Sequence, residues 1–175
     1  FYVDSEPNDD NAIAEAMAHA CVLAKGESRR CKIVFLSHTL SNTAWFQRLI
    51  GESQAKELVN GIELPEFNAH LKTESLKTFK NNADIVVTCA LDDKELLNLE
   101  STSSARVIIA VPWQKKGLEK WLSTYQPTDL RTNRPASSSP EPNCIIKTAL
   151  KNLTNLVNIS NGINHPSDRE TAKTY

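Results

Sequence analysis

In this 175-residue chain, apolar runs of strand length repeatedly give way to segments of helical period, and this alternation limits the possible folds more than any other feature. Lys32-Ile33-Val34-Phe35-Leu36, Asp84-Ile85-Val86-Val87-Thr88-Cys89 and Arg106-Val107-Ile108-Ile109-Ala110-Val111 are near-continuous apolar runs. Such runs suit strands covered on both faces, as in a parallel sheet. Phe1 to Asp4 predicts a short first strand, and Ile62-Glu63-Leu64 another that Pro65 cuts short. Helices are expected over about 10–25, 41–50, 53–60 and 92–99 and through Leu118, Trp121 and Leu122, with a helical turn around 75–79. In the first helix Ile13, Met17, Ala20 and Ala24 make one apolar face, and Gly26 ends it. The series predicts an α/β fold, a Rossmann-like, doubly wound, mostly parallel sheet of about four or five strands.

Composition shifts after residue 126. Residues 1–126 read as the α/β domain. Residues 127–142, with Pro127, Pro135, Pro140, Pro142 and Ser137-Ser138-Ser139, read as a linker or long surface loop. Residues 143–175 read as a helical C-terminal extension. Ile146, Ala149, Leu150, Leu153, Leu156 and Val157 form an amphipathic stripe stopped at Asn161-Gly162, and a second short helix starts at His165-Pro166-Ser167-Asp168. Such a stripe would serve a partner or a second copy of the chain, giving a homo-oligomer through the C-terminal helices.

Several classes are excluded. With 20 Lys+Arg against 21 Asp+Glu there is no basic excess to neutralise phosphates, so no nucleic-acid partner is expected. No apolar run approaches the roughly 18 residues of a membrane helix. Cys21, Cys31, Cys89 and Cys144 form no CxxC pair, which points to buried free thiols in a reducing compartment. No signal-peptide pattern is read, and the expected location is cytoplasmic.

In an open parallel sheet, ligands bind beyond the carboxyl ends of the strands. The first such loop, Asp4-Ser5-Glu6-Pro7-Asn8-Asp9-Asp10-Asn11, stands where a dinucleotide fold carries its glycine-rich turn, yet it holds no Gly. Its carboxylates would repel a pyrophosphate, so neither NAD nor FAD is expected. Clustered oxygens of this kind suit a hard divalent cation, Ca or Mg, or the hydroxyls of a sugar. The plainer alternative is that Asp9 and Asp10 cap the following helix while Glu6 is solvated.

This loop resembles the start of the inosine-uridine nucleoside hydrolases, whose signature is a strand ending in DxDPGxDD and running into a helix of small apolar residues. Asp4, Pro7 and Asp10 fit that pattern, as does Ala12-Ile13-Ala14. Glu6 stands where the family has an Asp, Asn8 replaces Gly, and Asn11 replaces a ligating Asp. The resemblance covers about a dozen residues and implies a metal held by Asp4, Glu6 and Asp10, with Glu6 and Asp10 activating water to attack a ribosyl carbon.

The second loop, Ser37-His38-Thr39-Leu40-Ser41-Asn42-Thr43, sets hydroxyls and an imidazole at a helix start. Ser37, Thr39 and Thr43 are candidate ligand contacts, and His38 a candidate general acid for a leaving base; Ser41 and Asn42 are equally good helix caps. Cys89, preceding Asp92-Asp93, reads as a buried structural thiol because nearby aspartates disfavour a thiolate. Asp92 and Asp93 read as a capping pair or as extra metal oxygens. Trp113 is placed to stack on a base, with Lys115 or Lys116 meeting a phosphate; a partly buried Trp beside a solvated Lys pair is the alternative. Trp45 and Trp121 read as packing residues.

These residues support binding of a small polar ligand of nucleoside or nucleotide type, most concretely metal-assisted hydrolysis of an N-ribosyl-type bond. The alternative is a non-catalytic Rossmann-like module that senses a nucleotide or docks a protein through its helical tail.

Overall fold

The computed structural model describes residues 1–6, 9–38, 44–136, 145, 148–149 and 151–152, with the backbone alone at 44, 45, 115 and 116. The chain divides into two units, Phe1–Ser137 and Ser138–Tyr175. In the first, the order is α1 (Asp10–Lys25), β1 (Cys31–Ser37), α2 (Ala44–Ile50), α3 (Glu52–Asn60), β2 (Ile62–Leu64), β3 (Ala69–Ser75), β4 (Ile85–Cys89), α4 (Asp93–Thr102), β5 (Val107–Val111), α5 (Glu119–Tyr125), β6 (Thr128–Asp129) and β7 (Arg134–Pro135). In the second unit residues 145, 148–149 and 151–152 are helical; Cys144, the rest of the amphipathic stripe and the expected second helix lie outside the described residues.

The five main strands form one sheet in the order β2-β3-β1-β4-β5. β3, β1, β4 and β5 are parallel, and β2 adds an antiparallel edge. The apolar runs of β1 and β4 are buried almost throughout, as a sheet covered on both faces requires. One face carries Ile33, Phe35, Ile85, Val87 and Ile109 against buried residues of α1, α2 and α3, including Ala12, Ala16, Phe46 and Leu58. The other carries Val34, Leu36, Val86, Ile108 and Ala110 against Leu96, Leu99, Trp121 and Leu122. α1 buries Ala12, Ile13, Ala16, Ala20, Cys21 and Ala24, and small side chains there let the helix lie close on the sheet.

Three differences from the sequence expectation bear on the site. The Phe1–Val3 segment is strand-like but short. Val3 N–H donates to the Ala110 carbonyl (2.9 Å) and Tyr2 N–H to that of Thr128 (3.0 Å), wedging the segment between β5 and β6. Secondly, β3 was not expected, and the turn read at 75–79 follows it. Thirdly, the β6–β7 hairpin falls inside the stretch read as a linker, so the first unit runs to Ser137.

The bend into β2 depends on Gly61, whose φ of +99° few other residues adopt. A Cβ there would also stand 2.5 Å from the His70 ring.

Candidate functional site

The carboxyl ends of the Phe1–Val3 segment, β4 and β5 meet in a cleft lined by Ser5, Glu6, Asp10, Ala90, Pro112 and Trp113, with Asp9, Ile13 and Val111 behind them. Counting the open solvent at its mouth, the space between its walls is about 310 Å³. The cavity itself, about 30 Å³, holds about one water. Ser5 is buried and its hydroxyl donates to the Pro112 carbonyl (3.0 Å), tying the acidic loop to the end of β5. Trp113, 44% exposed, is among the few large apolar side chains at the surface.

Ala90 is held at φ +57°, a left-handed conformation that costs a residue with a Cβ about 1–2 kcal/mol. Its N–H donates to the Val111 carbonyl (2.8 Å), so the β4–β5 pairing holds the strain. Strained backbone of this kind concentrates where a chain has been shaped for a task.

Arginines far away in the sequence control the loop's carboxylates. Asp10 accepts two hydrogen bonds from Arg48 (2.8 and 2.6 Å), and these hold its carboxyl below the usual range. Asp9 caps α1 by accepting from Ala12 N–H (3.3 Å), and it also accepts from Arg131 Nη2 (2.7 Å). Arg131 reaches Glu15 (2.7 Å) and the Asp4 carbonyl (2.7 Å) as well. Asp129 completes the frame. It is buried at 3% exposure and accepts from the N–H groups of Asp4 (3.3 Å), Arg131 (3.2 Å) and Thr132 (3.3 Å) and from the Thr132 hydroxyl (2.7 Å). Burial pushes the Asp129 carboxyl up, but these four hydrogen bonds outweigh it and hold the group below its ordinary value.

Glu6 is the exposed carboxylate of the loop and, among the described residues, has no ion pair or hydrogen bond from its side chain. Asp4, Glu6 and Asp10 do not form a metal cage in this arrangement. Among the described residues no three His, Cys, Asp or Glu side chains are placed to hold a metal ion. Asp10, one ligand of the expected set, forms a two-bonded ion pair with Arg48.

The second loop is described only at its start. Ser37 is buried in register with Ser75. Thr39 and Thr43 lie outside the described residues, and so do the side chains of Trp45, Lys115 and Lys116. His38 is not a lone imidazole: its Nδ1 lies 3.2 Å from Glu95 Oε1. Glu95 belongs to a capping box at the start of α4, in which Asp92 accepts from Glu95 N–H (2.9 Å) and Glu95 accepts from Asp92 N–H (3.0 Å). The pair sits at the end of β1, two strands from β5 and roughly 10 Å from that wall of the cleft. Asp93 accepts from the N–H groups of Lys120 (3.1 Å) and Trp121 (2.7 Å), so it caps α5. Cys89 is buried, and burial pushes its thiol up to about 12, which removes it as a nucleophile near neutral pH.

Sequence reasoning missed Arg48, Arg131, Asp129 and Glu95. A local signal existed only for Asp129, where Asp followed three residues later by Thr132 marks a side-chain-capped turn. Compared with protein-family models, curated proteins and solved structures, the chain matches none. Among the described residues no helix is long and apolar enough to cross a membrane.

Proposed function

We propose that the Phe1–Ser137 unit binds a small polar molecule of nucleoside type across the open mouth of the cleft at the carboxyl ends of its strands. The observation that carries this reading is the pairing pattern of the acidic loop. Asp9 and Asp10 are neutralised by Arg131 and Arg48, while Glu6 is unpaired among the described residues and stands beside a half-exposed Trp113. A free carboxylate accepts hydrogen bonds from sugar hydroxyls, and an indole face stacks on a planar base. The strain at Ala90 fits a wall shaped for a ligand. Binding of this kind needs no metal and is shared with the non-catalytic module expected as the alternative.

The test is titration with inosine and adenosine in the presence of a chelator, followed by amide NMR shifts. Saturable shifts centred on residues 4–6, 90 and 111–113 are expected, and Glu6→Gln should weaken binding about tenfold, the usual worth of a hydrogen bond to a charged group. No saturable shift with either nucleoside, or an unchanged affinity in Glu6→Gln, would contradict the reading.

Hydrolysis of an N-ribosyl-type bond is the second reading, favoured by the Glu95–His38 pair. A carboxylate-oriented imidazole is a competent proton donor to a leaving base. Release of free base, abolished in His38→Ala with nucleoside binding retained, would distinguish it from binding alone.

A further inference from the structure

The crossover from β3 to β4 differs from its neighbours. Both strands are parallel to β1 and lie on opposite sides of it, yet residues 76–84 alone connect them. Parallel crossovers usually take about a dozen residues or more and carry a helix that covers the sheet. Among the described residues no helix lies over this part of the face, although Val59 of α3 borders it, and its side chains are charged. In register, Lys72 lies beside Val34 and Glu74 beside Leu36, so β3 continues with charges the face that Val34 and Leu36 fill with apolar groups. A groove of about 460 Å³ results, lined by Lys32, Lys72, Lys80, Glu74, Thr78 and Asn82.

Its charges do not cancel. Three lysines face one carboxylate, whereas Arg29, Arg30, Arg48, Arg106 and Arg131 each pair with carboxylates elsewhere. Lys32 donates to the Asn82 side-chain carbonyl (2.7 Å), and Lys72 lies 3.4 Å from Glu74. Lys80 has no partner among the described residues.

We propose that this groove binds the phosphate group of a small phosphorylated sugar or polyol. Ammonium groups act as point charges for phosphate, and a surplus of two positive charges matches a phosphate dianion. Glu74 repels a second anionic group but accepts from a hydroxyl, so it selects a ligand with one phosphate and a hydroxylated remainder. This site is separate from the carboxyl-end cleft, and neither depends on the other.

The test is NMR titration at low salt with ribose 5-phosphate, inorganic phosphate and ribose, using the whole chain. Lys80→Gln is the decisive variant, because Lys80 is exposed and holds nothing in place. Lys72→Gln would strand the buried Glu74 and is avoided. Saturable shifts by ribose 5-phosphate confined to residues 32 and 72–82 are expected, with affinity about fivefold lower in Lys80→Gln. Lys56→Gln, at an ion pair on α3, should leave affinity unchanged, and ribose should not bind. Tighter binding of ribose 5-phosphate than of inorganic phosphate supports the role given to Glu74; equal binding supports the phosphate site and removes that role. The proposal is overturned if neither phosphate compound binds saturably, if Lys80→Gln binds like wild type, or if the shifts fall elsewhere.

Discussion

Asp129→Ala is expected to cost the Phe1–Ser137 unit about 3 kcal/mol, because it leaves buried donors without an acceptor. Four donors converge on this carboxylate, from Asp4, Arg131 and Thr132. The loss would reach the cleft, since the Asp4 N–H bond holds the acidic loop to the β6–β7 hairpin. Asp129→Asn, which keeps one carbonyl oxygen, should cost clearly less. The Asp129 carboxyl titrates below its ordinary 3.8 in the folded chain. Its ionic contribution is therefore fully present above that value and lost as pH falls through the folded one. The difference between wild type and Asp129→Asn should be constant near neutrality and shrink on acidification below about pH 4. Urea unfolding at pH 7 and at low pH measures both effects. A loss under about 1 kcal/mol in Asp129→Ala would mean that water satisfies the donors and that Asp129 does not hold the loop.

Arg131→Met should be the next most damaging change, at about 2 kcal/mol. The guanidinium bonds Asp9, Glu15 and the Asp4 carbonyl, and its removal strands two carboxylates near one another. The figure is discounted because the Arg131 side chain is 32% exposed and that of Glu15 42%, so solvent screens part of the attraction. Methionine keeps much of the stem's packing, which makes the loss one of charge and hydrogen bonding. The penalty should fall as salt is raised, because freed carboxylates repel less when screened. An unfolding midpoint equal to wild type in low salt would show that the three contacts contribute nothing net.

Local sequence carried the central strands because β1, β4 and β5 are buried on both faces and so read as unbroken apolar runs. β3 has no such run. Its core-facing residues are Ala69, Leu71 and Thr73, interleaved with His70, Lys72 and Glu74, a pattern in which only Leu71 is strongly apolar. On its other face β3 has charges, Lys72 and Glu74, where a covered strand would carry a second apolar row. The candidate site was legible in position but not in electrostatics. The acidic loop falls at a strand's carboxyl end, as the fold rule requires, yet Arg48 and Arg131, which govern its charge, are fixed only by tertiary packing. For the same reason Glu95 was not linked to His38. The β6–β7 hairpin looked like a linker because Pro127 precedes and Pro135 ends two-residue strands that pair chiefly with the N-terminal segment and with each other.

Calorimetric titration of calcium into the wild-type chain tests most directly whether the acidic loop belongs to its own arginines. Asp10 is bound by Arg48, Asp9 by Arg131 and the start of α1, and Asp4 is engaged as well, so among the described residues only Glu6 of these four offers an unengaged charge. One such carboxylate is too little for a hard cation that takes about six to eight oxygens. No saturable heat is expected at millimolar calcium. Saturable binding that disappears in Asp10→Ala would contradict this and show that the carboxylates leave their arginines to hold a metal.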